Sequence, residues 1–426
     1  MTFFLILIWL LCVLGVLHTY VCYPWQMSRW ARPQVQGKLD GRAPITAGSK
    51  LKHPTISFDQ EPTPAVYVLM SAHNEAAVLE DKLRSLAAQD YAGPLTFLIG
   101  SDCSTDRTND ILTEWADKDE RFRPTLFTLR QGKPGIINQL AAQALAAAPP
   151  ATTAGNAPSA IFVMTDASVM LRPDTVRQLI APMTVSPLTG VVDATMVQTG
   201  GTTEGIGGAE TSYINREVAL KRAEGERWGT MIGPFGGCWA MRAVAYETVP
   251  HNFLVDDFFL CMAAYEKGFR GYSQPAAVVE EAVGQSIADE FRRKVRISSG
   301  NWQNLVRFRK LWWPCWRDPL AYAFFSHKIL RWWTPFLLLI GLGAWLLLLL
   351  TLGAENNYWP GLTLLVLMGM VSGLVALDRL LSLLNVHFRP GRYLSYFIAM
   401  NAALLVGCWR YLTGIKSNVW QPSQRH

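Results

Sequence analysis

The chain has 426 residues, half of them hydrophobic and 17% charged, with a formal net charge of +6. Soluble proteins carry about 25% charged residues, so the composition excludes an ordinary soluble globule. The apolar excess lies at both ends of the chain, and the basic residues cluster beside it, which points to a membrane surface and anionic phosphates and away from nucleic acid. Seven scattered cysteines (Cys12, Cys22, Cys103, Cys238, Cys261, Cys315 and Cys408) form no CxxC pair, which argues against a disulfide framework or a zinc site.

Taken in order, Met1–Val21 is apolar and uncharged, long enough to cross a hydrocarbon core of ~30 Å. No basic residue precedes it and no small-x-small cleavage site follows, so an uncleaved anchor is expected over a signal peptide. Arg29, Arg32, Lys38 and Arg42 come after it, and the positive-inside rule then places the N-terminus outside and the middle of the chain in the cytosol. A Pro-, Gly-, Gln- and Ser-rich linker is expected over 23–63. From residue 64 to 285 strands alternate with helices: strands Ala65–Ala72, Leu95–Ser101, Leu126–Leu129 and Ala160–Thr165, helices Asn74–Ala88, Asp106–Lys118 and Gly135–Ala148, and a surface loop Ala146–Ser159. That alternation predicts an α/β domain with a doubly wound, mostly parallel sheet. Residues 286–334 mix Lys and Arg with Trp302, Trp312, Trp313 and Trp316, the signature of amphipathic helices lying in a membrane interface. Three more apolar segments follow within 335–413: Pro335–Leu352, Tyr358–Leu377 and Tyr393–Leu412. Four spans would leave the 414–426 tail outside, yet Lys416 and Arg425 lie in it and Arg379, Arg389 and Arg392 in the preceding loop, so one segment could be re-entrant.

In a doubly wound sheet, ligands sit beyond the carboxyl ends of the strands. Four polar clusters fall there: Ser71-Ala72-His73-Asn74-Glu75, Ser101-Asp102 through Asp106, Thr165-Asp166-Ala167-Ser168, and Val255-Asp256-Asp257. Each could merely cap a helix; their convergence on one edge favours function. Asp102 suits hydrogen bonding to a nucleobase or ribose. Asp166, with Ser168, suits a hard divalent cation that also binds phosphate oxygens. Asp256 and Asp257 could be caps, or one could take a proton from a hydroxyl. Lys133, where a helix begins, could meet phosphate or base. Gly237-Cys238 is a turn that could admit close backbone approach to a sugar or serve the fold alone.

Together these clusters resemble, over residues of about 64 to 302, the family 2 glycosyltransferases, which have the GT-A fold. The likeness is to the membrane-integrated branch that includes cellulose, hyaluronan and poly-N-acetylglucosamine synthases. The resemblance implies that Ala72, His73, Glu75, Asp102 and Lys133 surround the nucleotide and that Asp166 begins the DxD metal motif, with Mg²⁺ or Mn²⁺ as cofactor. It further implies that Asp257 is the base of the TED motif, with Asp256 in the glutamate position, and that Gly237, Cys238 and Trp239 lie on the acceptor side. Arg293-Lys-Val-Arg296-Ile297 falls where Q-x-x-R-W is expected, with Arg296 on the diphosphate. Ser168 replaces the second DxD aspartate, Val255 the TED threonine, and Arg293 and Ile297 the glutamine and tryptophan of Q-x-x-R-W, leaving Trp302 or Trp239 to stack on an acceptor. The activity implied is inverting transfer from a UDP-sugar to a polysaccharide at the cytosolic face of a bacterial plasma membrane. Single-sugar transfer to a lipid or polyprenyl-linked acceptor, and a non-catalytic sugar-nucleotide-binding scaffold, are the alternatives.

Overall fold

The computed structural model describes residues 1–30, 63–148, 160–199, 206–282, 287–353, 359–383 and 389–415. The expected linker beyond Trp30, the loop from residue 149 to Ser159 and the basic tail bearing Lys416 and Arg425 lie outside the described residues. The chain divides into two compact units, one holding Met1–Met27, Gly201–Arg216 and Gly284–Gly414, the other Ser28–Gly200, Glu217–Val283 and Ile415–His426.

The N-terminal helix α1 (Thr2–Leu17) runs through a π-helical turn, His18–Cys22, into α2 (Tyr23–Trp30), so helix replaces the expected start of the linker at residue 23. The chain then follows the order β1 (Ala65–Ala72), α3 (Ala76–Ala87), β2 (Leu95–Asp102), α4 (Thr108–Lys118), β3 (Phe122–Phe127), α5 (Gly132–Ala147), β4 (Ala160–Thr165), β5 (Val169–Leu171), α6 (Thr175–Val185), β6 (Thr189–Thr199), α7 (Ile206–Trp228), β7 (Cys238–Arg242), α8 (Asp256–Glu266) and β8 (Arg270–Ala282), with α7 divided between the two units at Arg216.

The eight strands form one sheet in the order β3-β2-β1-β4-β7-β6-β8-β5. β3, β2, β1 and β4 are parallel, as the βα alternation predicts, and β6 is parallel to β8. β7 runs antiparallel between β4 and β6, and β5 antiparallel to β8, making the sheet mixed. Helices cover the sheet, so its central strands read as continuous apolar runs. Val66, Val68, Phe97, Ile99, Ile161 and Val163 are buried in one core cluster with Leu79, Leu83 and Leu86 of α3. The largest departures from the hydrophobic pattern are the starts of β3 and α5. β3 lies four residues earlier than expected, because Phe122 packs on Phe97 at 4.5 Å between ring centres while Leu129 is 75% exposed. α5 starts three residues earlier because the Asp102 carboxylate at the end of β2 accepts from the N–H groups of Gln131 and Gly132.

In the apolar unit, α9 (Ile287–Arg307), α10 (Arg309–Trp312) and α11 (Pro319–Phe324) precede a π-helical turn, Phe325–Ile329, and α12 (Leu330–Gly353). α13 (Trp359–Leu383) and α14 (Arg389–Leu412) complete it. Among the described residues three helices are long and apolar enough to cross a membrane: Thr2–Trp30, Pro319–Leu352 and Gly361–Asp378. The second therefore begins well before Pro335, and the fourth expected segment forms a helix, α14, that is not among the three.

Candidate functional site

Because β2, β1 and β4 are parallel and in register, their C-terminal residues Asp102, Ala72 and Thr165 come out on one edge of the sheet. The turns that follow are tight: Asn74 and Cys103 adopt left-handed φ of 53° and 55°, a region non-glycine residues enter rarely, and asparagine most readily among them. Asn74 Oδ1 accepts from Thr105 N at 2.8 Å. Asp106 Oδ2 accepts from Ala76 N at 3.1 Å and its Oδ1 from Thr108 N at 3.0 Å, so one carboxylate caps both α3 and α4. Burial opposes the charge of Asp106, but the Thr108 and Ala76 hydrogen bonds outweigh it and hold the carboxyl below its usual value. Glu75 N donates to Thr108 Oγ1 at 3.0 Å.

Asp102 is 2% exposed. Its Oδ1 accepts from Gln131 N at 2.7 Å, and its Oδ2 from Gly132 N at 2.9 Å and Arg130 Nε at 3.2 Å. The side chain thus supplies the cap that α5 lacks from its own residues, and it anchors Arg130. Arg130 also meets His73 Nε2 through Nη1, and His73 Nδ1 lies 2.8 Å from the Asp102 carbonyl oxygen. Asp102, His73 and Arg130 therefore form one polar knot. Arg130 was not singled out from the sequence, although its place in Arg130-Gln-Gly-Lys133, beside a lysine that was, is a signal.

The residue after Gly132 turns to the other carboxylate. Lys133 Nζ donates to Asp166 Oδ1 at 2.7 Å, with the two side chains 24% and 41% exposed. Desolvation weighs against the lysine's charge, but Asp166, Asp256 and Asp257 outweigh it and raise its pKa above the usual lysine range. Asp166 N in turn donates to Gly237 O at 3.1 Å. Gly236, with φ +77°, lies directly against Asp257: a Cβ there would fall 2.3 Å from Asp257 Oδ2. Phe258 N donates to Asp257 Oδ1 at 2.7 Å. The Asp257 carboxyl is pushed up to about 6, first by desolvation and then by Asp256, with Lys133 pulling the other way. The first turn of α5 thus joins Asp102 to Asp166, and the Gly236-Gly237 turn joins Asp166 to Asp257.

Two buried lysines escaped the sequence pattern. Lys82 of α3 is fully buried beneath the Asp166 turn. Its Nζ donates to Thr165 Oγ1 at 2.7 Å and also to Val169 O, and Thr165 Oγ1 donates onward to Gly237 O at 3.0 Å. Desolvation brings its pKa down to about 8. Lys221 of α7 pairs with Asp193 of β6 at 2.6 Å, with the two side chains 2% and 1% exposed. Asp193 Oδ1 accepts from Phe235 N at 3.1 Å, and Lys221 Nζ lies 3.6 Å from the Phe235 ring centre. Each lysine holds backbone next to the carboxylates without belonging to the rim itself.

The remaining expected residues lie on β7 and α9. Cys238 and Trp239 are each 1% exposed on β7, paired with Thr165 and with Met164 of β4. Both side chains are enclosed in the core, and burial pushes the Cys238 thiol up to about 12. Both belong to a strand buried on its two faces, not to a turn. Gly237 carries the contact to the Asp166 turn. Arg293, Arg296 and Trp302 lie on α9 in the apolar unit, where Trp302 packs on Trp333 and Phe336 at 5.7 and 5.8 Å.

A mixed, mostly parallel sheet with Lys133, Asp102, Asp166 and Asp257 linked along one edge has the architecture of the GT-A fold. Residues 67–249 match the model of glycosyl transferase family 2, and residues 161–407, more than half of the chain, that of glycosyl transferase family group 2. The chain belongs to the family 2 glycosyltransferases. An N-acetylglucosaminyltransferase from Rhizobium leguminosarum bv. viciae is 26% identical over 261 residues; the match covers 57% of this chain and 57% of that protein's length. The fold is that of a mannosyltransferase from Pyrobaculum calidifontis solved in complex with GDP-Man and Mn²⁺, with a TM-score of 0.64 at 20% identity, covering 96% of this chain and 99% of that one.

Proposed function

We propose that this protein is an inverting glycosyltransferase that moves sugar from a nucleotide-sugar, in first place a UDP-sugar, to an acceptor hydroxyl at the cytosolic face of a membrane. The observation that carries this reading is the meeting of Lys133, Asp166 and Asp257 through one helix start and one glycine turn.

A divalent cation, Mg²⁺ or Mn²⁺, fits the donor set. Among the described residues no three His, Cys, Asp or Glu side chains form a metal cage. Magnesium-type sites need only one or two carboxylates with the substrate's phosphates. Asp166 would hold the ion, with Ser168 two residues on, and the ion when bound would neutralise charge on the leaving diphosphate. Lys133 adds a fixed positive charge beside Asp166. Asp257 acts as general base: a carboxyl with a pKa of about 6 is ionised at neutral pH yet basic enough to draw a proton from a hydroxyl. The deprotonated oxygen attacks the anomeric carbon opposite the diphosphate, the bond to the diphosphate breaks, and the configuration inverts. One carboxylate serves this reaction, where glycoside hydrolysis needs a spaced pair.

Asp257→Asn should lower kcat by about 10²–10⁴-fold, the usual worth of a general base, while the Kd for donor stays within a few-fold. A normal rate in that variant would remove Asp257 from the mechanism. Nucleotide release should be followed with UDP-N-acetylglucosamine, other UDP-sugars and GDP-mannose, after chelation and again with Mn²⁺ or Mg²⁺. The N-acetylglucosaminyltransferase relative makes the first of these the donor to try first. Donor binding with no nucleotide release under any condition would favour the scaffold reading.

A further inference from the structure

β8 ends at Ala282 and α9 begins at Ile287. At ~3.5 Å per residue, that connection falls well short of the ~30 Å hydrocarbon core, so α9 starts on the side of the membrane that bears the sheet unit. α9 itself carries Asp289, Glu290, Arg292, Arg293, Lys294, Arg296 and Arg307 and is too charged to cross. It is fastened to the far half of α14: Ser298 Oγ donates to Leu404 O at 3.0 Å and Ser299 Oγ to Gly407 O at 3.1 Å. Gly407 is a required glycine here, since a Cβ would fall 2.3 Å from Ser298 Cβ. Leu404–Gly407 is therefore on the sheet-unit side as well. Beyond it lie Arg410, Lys416 and Arg425, basic residues that the positive-inside rule assigns to the cytosolic side.

Parity then constrains what lies between. A chain that leaves one side at α11 and is back on it by Leu404 crosses an even number of times, so α12, α13 and α14 cannot all be spans. α14 is the one to withdraw. It falls outside the three helices apolar enough to cross, and its exposed apolar residues Ile398, Val406, Trp409 and Leu412 recur at helical spacing along one side, as in a helix lying in the interface plane. Arg379 near the end of α13 and Arg389 and Arg392 at the start of α14 then fall on the cytosolic side, as the positive-inside rule asks. Arg392 Nε is held there by Asp378 Oδ1 at 3.2 Å, and Ser395 Oγ donates to Asp378 Oδ2 at 3.0 Å.

That leaves α1–α2, α12 and α13 in the bilayer. α1 and α12 are closed on each other, with Gly15 against Leu337, Gly341 against Cys12, and Trp9 4.9 Å from Trp345 between ring centres. α13 exposes Leu362, Val366, Met370 and Leu377. A polymer passage needs a polar wall closed off from lipid, and among the described residues two joined helices with one lipid-facing neighbour do not supply it.

We propose that α1–α2, α12 and α13 cross the membrane, that Leu404–Gly407 of α14 returns to the side of the catalytic domain, and that the acceptor hydroxyl is carried on a lipid instead of a polysaccharide passed through the protein. This rests on the transfer reaction proposed above and names its acceptor.

Two arms test it on the full chain. Green fluorescent protein fused after His426 should fluoresce, and alkaline phosphatase at the same place should be inactive; active phosphatase with a dark fluorescent fusion overturns the topology whatever the enzyme does. Membranes containing the protein, given radiolabelled UDP-sugar, should yield label that partitions into chloroform–methanol as a discrete species. Release of that label by mild acid would mark a polyprenyl phosphate carrier, and resistance a glycolipid; both support the proposal. Label retained in ethanol-insoluble polymer overturns it and leaves the glycosyltransferase reading intact. No transfer from any nucleotide-sugar, with the fusions behaving as expected, removes the enzymatic reading and the acceptor with it while the three-span topology stands.

Discussion

Asp257 rests its carboxylate on the Cα of Gly236, next to a second carboxylate, and its pKa of about 6 comes from desolvation first and from Asp256 second. An unfolded aspartate titrates near ~3.9, so the folded state holds this proton more tightly. The sign follows: the group's stabilising contribution is present at low pH and is lost as pH rises from about 4 to about 6, while activity appears over the upper part of that window. We expect the acid limb of kcat/KM near pH 6 and, in Asp256→Asn, a limb displaced to lower pH; an unmoved limb would deny the coupling. Gly236→Ala should lower kcat at least tenfold with donor affinity preserved, because the new methyl and Asp257 Oδ2 cannot both keep their places. Lys82 gives a different signature. Lys82→Met removes a buried cation, whose desolvation is unfavourable, and also the tie from α3 to Thr165 and Val169. The donor KM should rise several-fold with little change in thermal midpoint. Asp166 stood out as an acid directly after an apolar strand, and Asp257 as half of an acidic pair directly before an apolar helix. Lys82 did not, because one lysine on an amphipathic helix looks the same whether its face meets solvent or a turn.

Elements were legible where one chain segment decides them. β1, β2 and β4 are unbroken apolar runs and fall where the pattern puts them, with β2 running on to Asp102. The early start of α5 was not legible, since its cap comes from Asp102, on β2, almost thirty residues away. Antiparallel β7 was hidden too: a short apolar strand carries no mark of its direction, and the sequence showed only the glycine turn before it. The Lys221–Asp193 pair could have been found, for Asp193 is a lone acid inside the apolar strand β6. That pair fastens α7 to β6 and holds Phe235 N, one residue before Gly236. Breaking a buried ion pair from one side leaves an uncompensated charge, typically worth about 3–5 kcal/mol. Lys221→Met should therefore be destabilised by about that amount in denaturant unfolding of the detergent-solubilised chain. The double variant Lys221→Met/Asp193→Leu should recover much of the loss. Equal destabilisation of single and double variants would mean the pair acts through packing alone.

At the scale of the whole chain, the apolar ends announced themselves by composition, but how many of their helices cross depends on a contact between α9 and α14 that no hydropathy window contains. The bilayer supplies no hydrophobic drive to pair helices, so close approach through small residues must serve. α1 and α12 meet in this way at Gly15 and Gly341, where a Cβ would stand 3.1 Å from Leu337 Cδ1 and 3.2 Å from Cys12 Cβ. Their outer faces present Phe3, Phe4, Leu11, Leu14, Leu339, Leu347 and Leu350, a surface suited to acyl chains and not to water. The wild-type chain should stay in the membrane pellet through alkaline carbonate, and release into the supernatant would refute membrane spanning outright. Gly15→Leu with Gly341→Leu should leave that result unchanged, since each helix remains apolar enough to insert by itself. The same variant should lower the thermal midpoint in detergent, because bulk at both contacts forces α1 and α12 apart. Pellet retention and thermal midpoint thus separate insertion, which belongs to each helix alone, from the helix pairing that shapes the membrane unit.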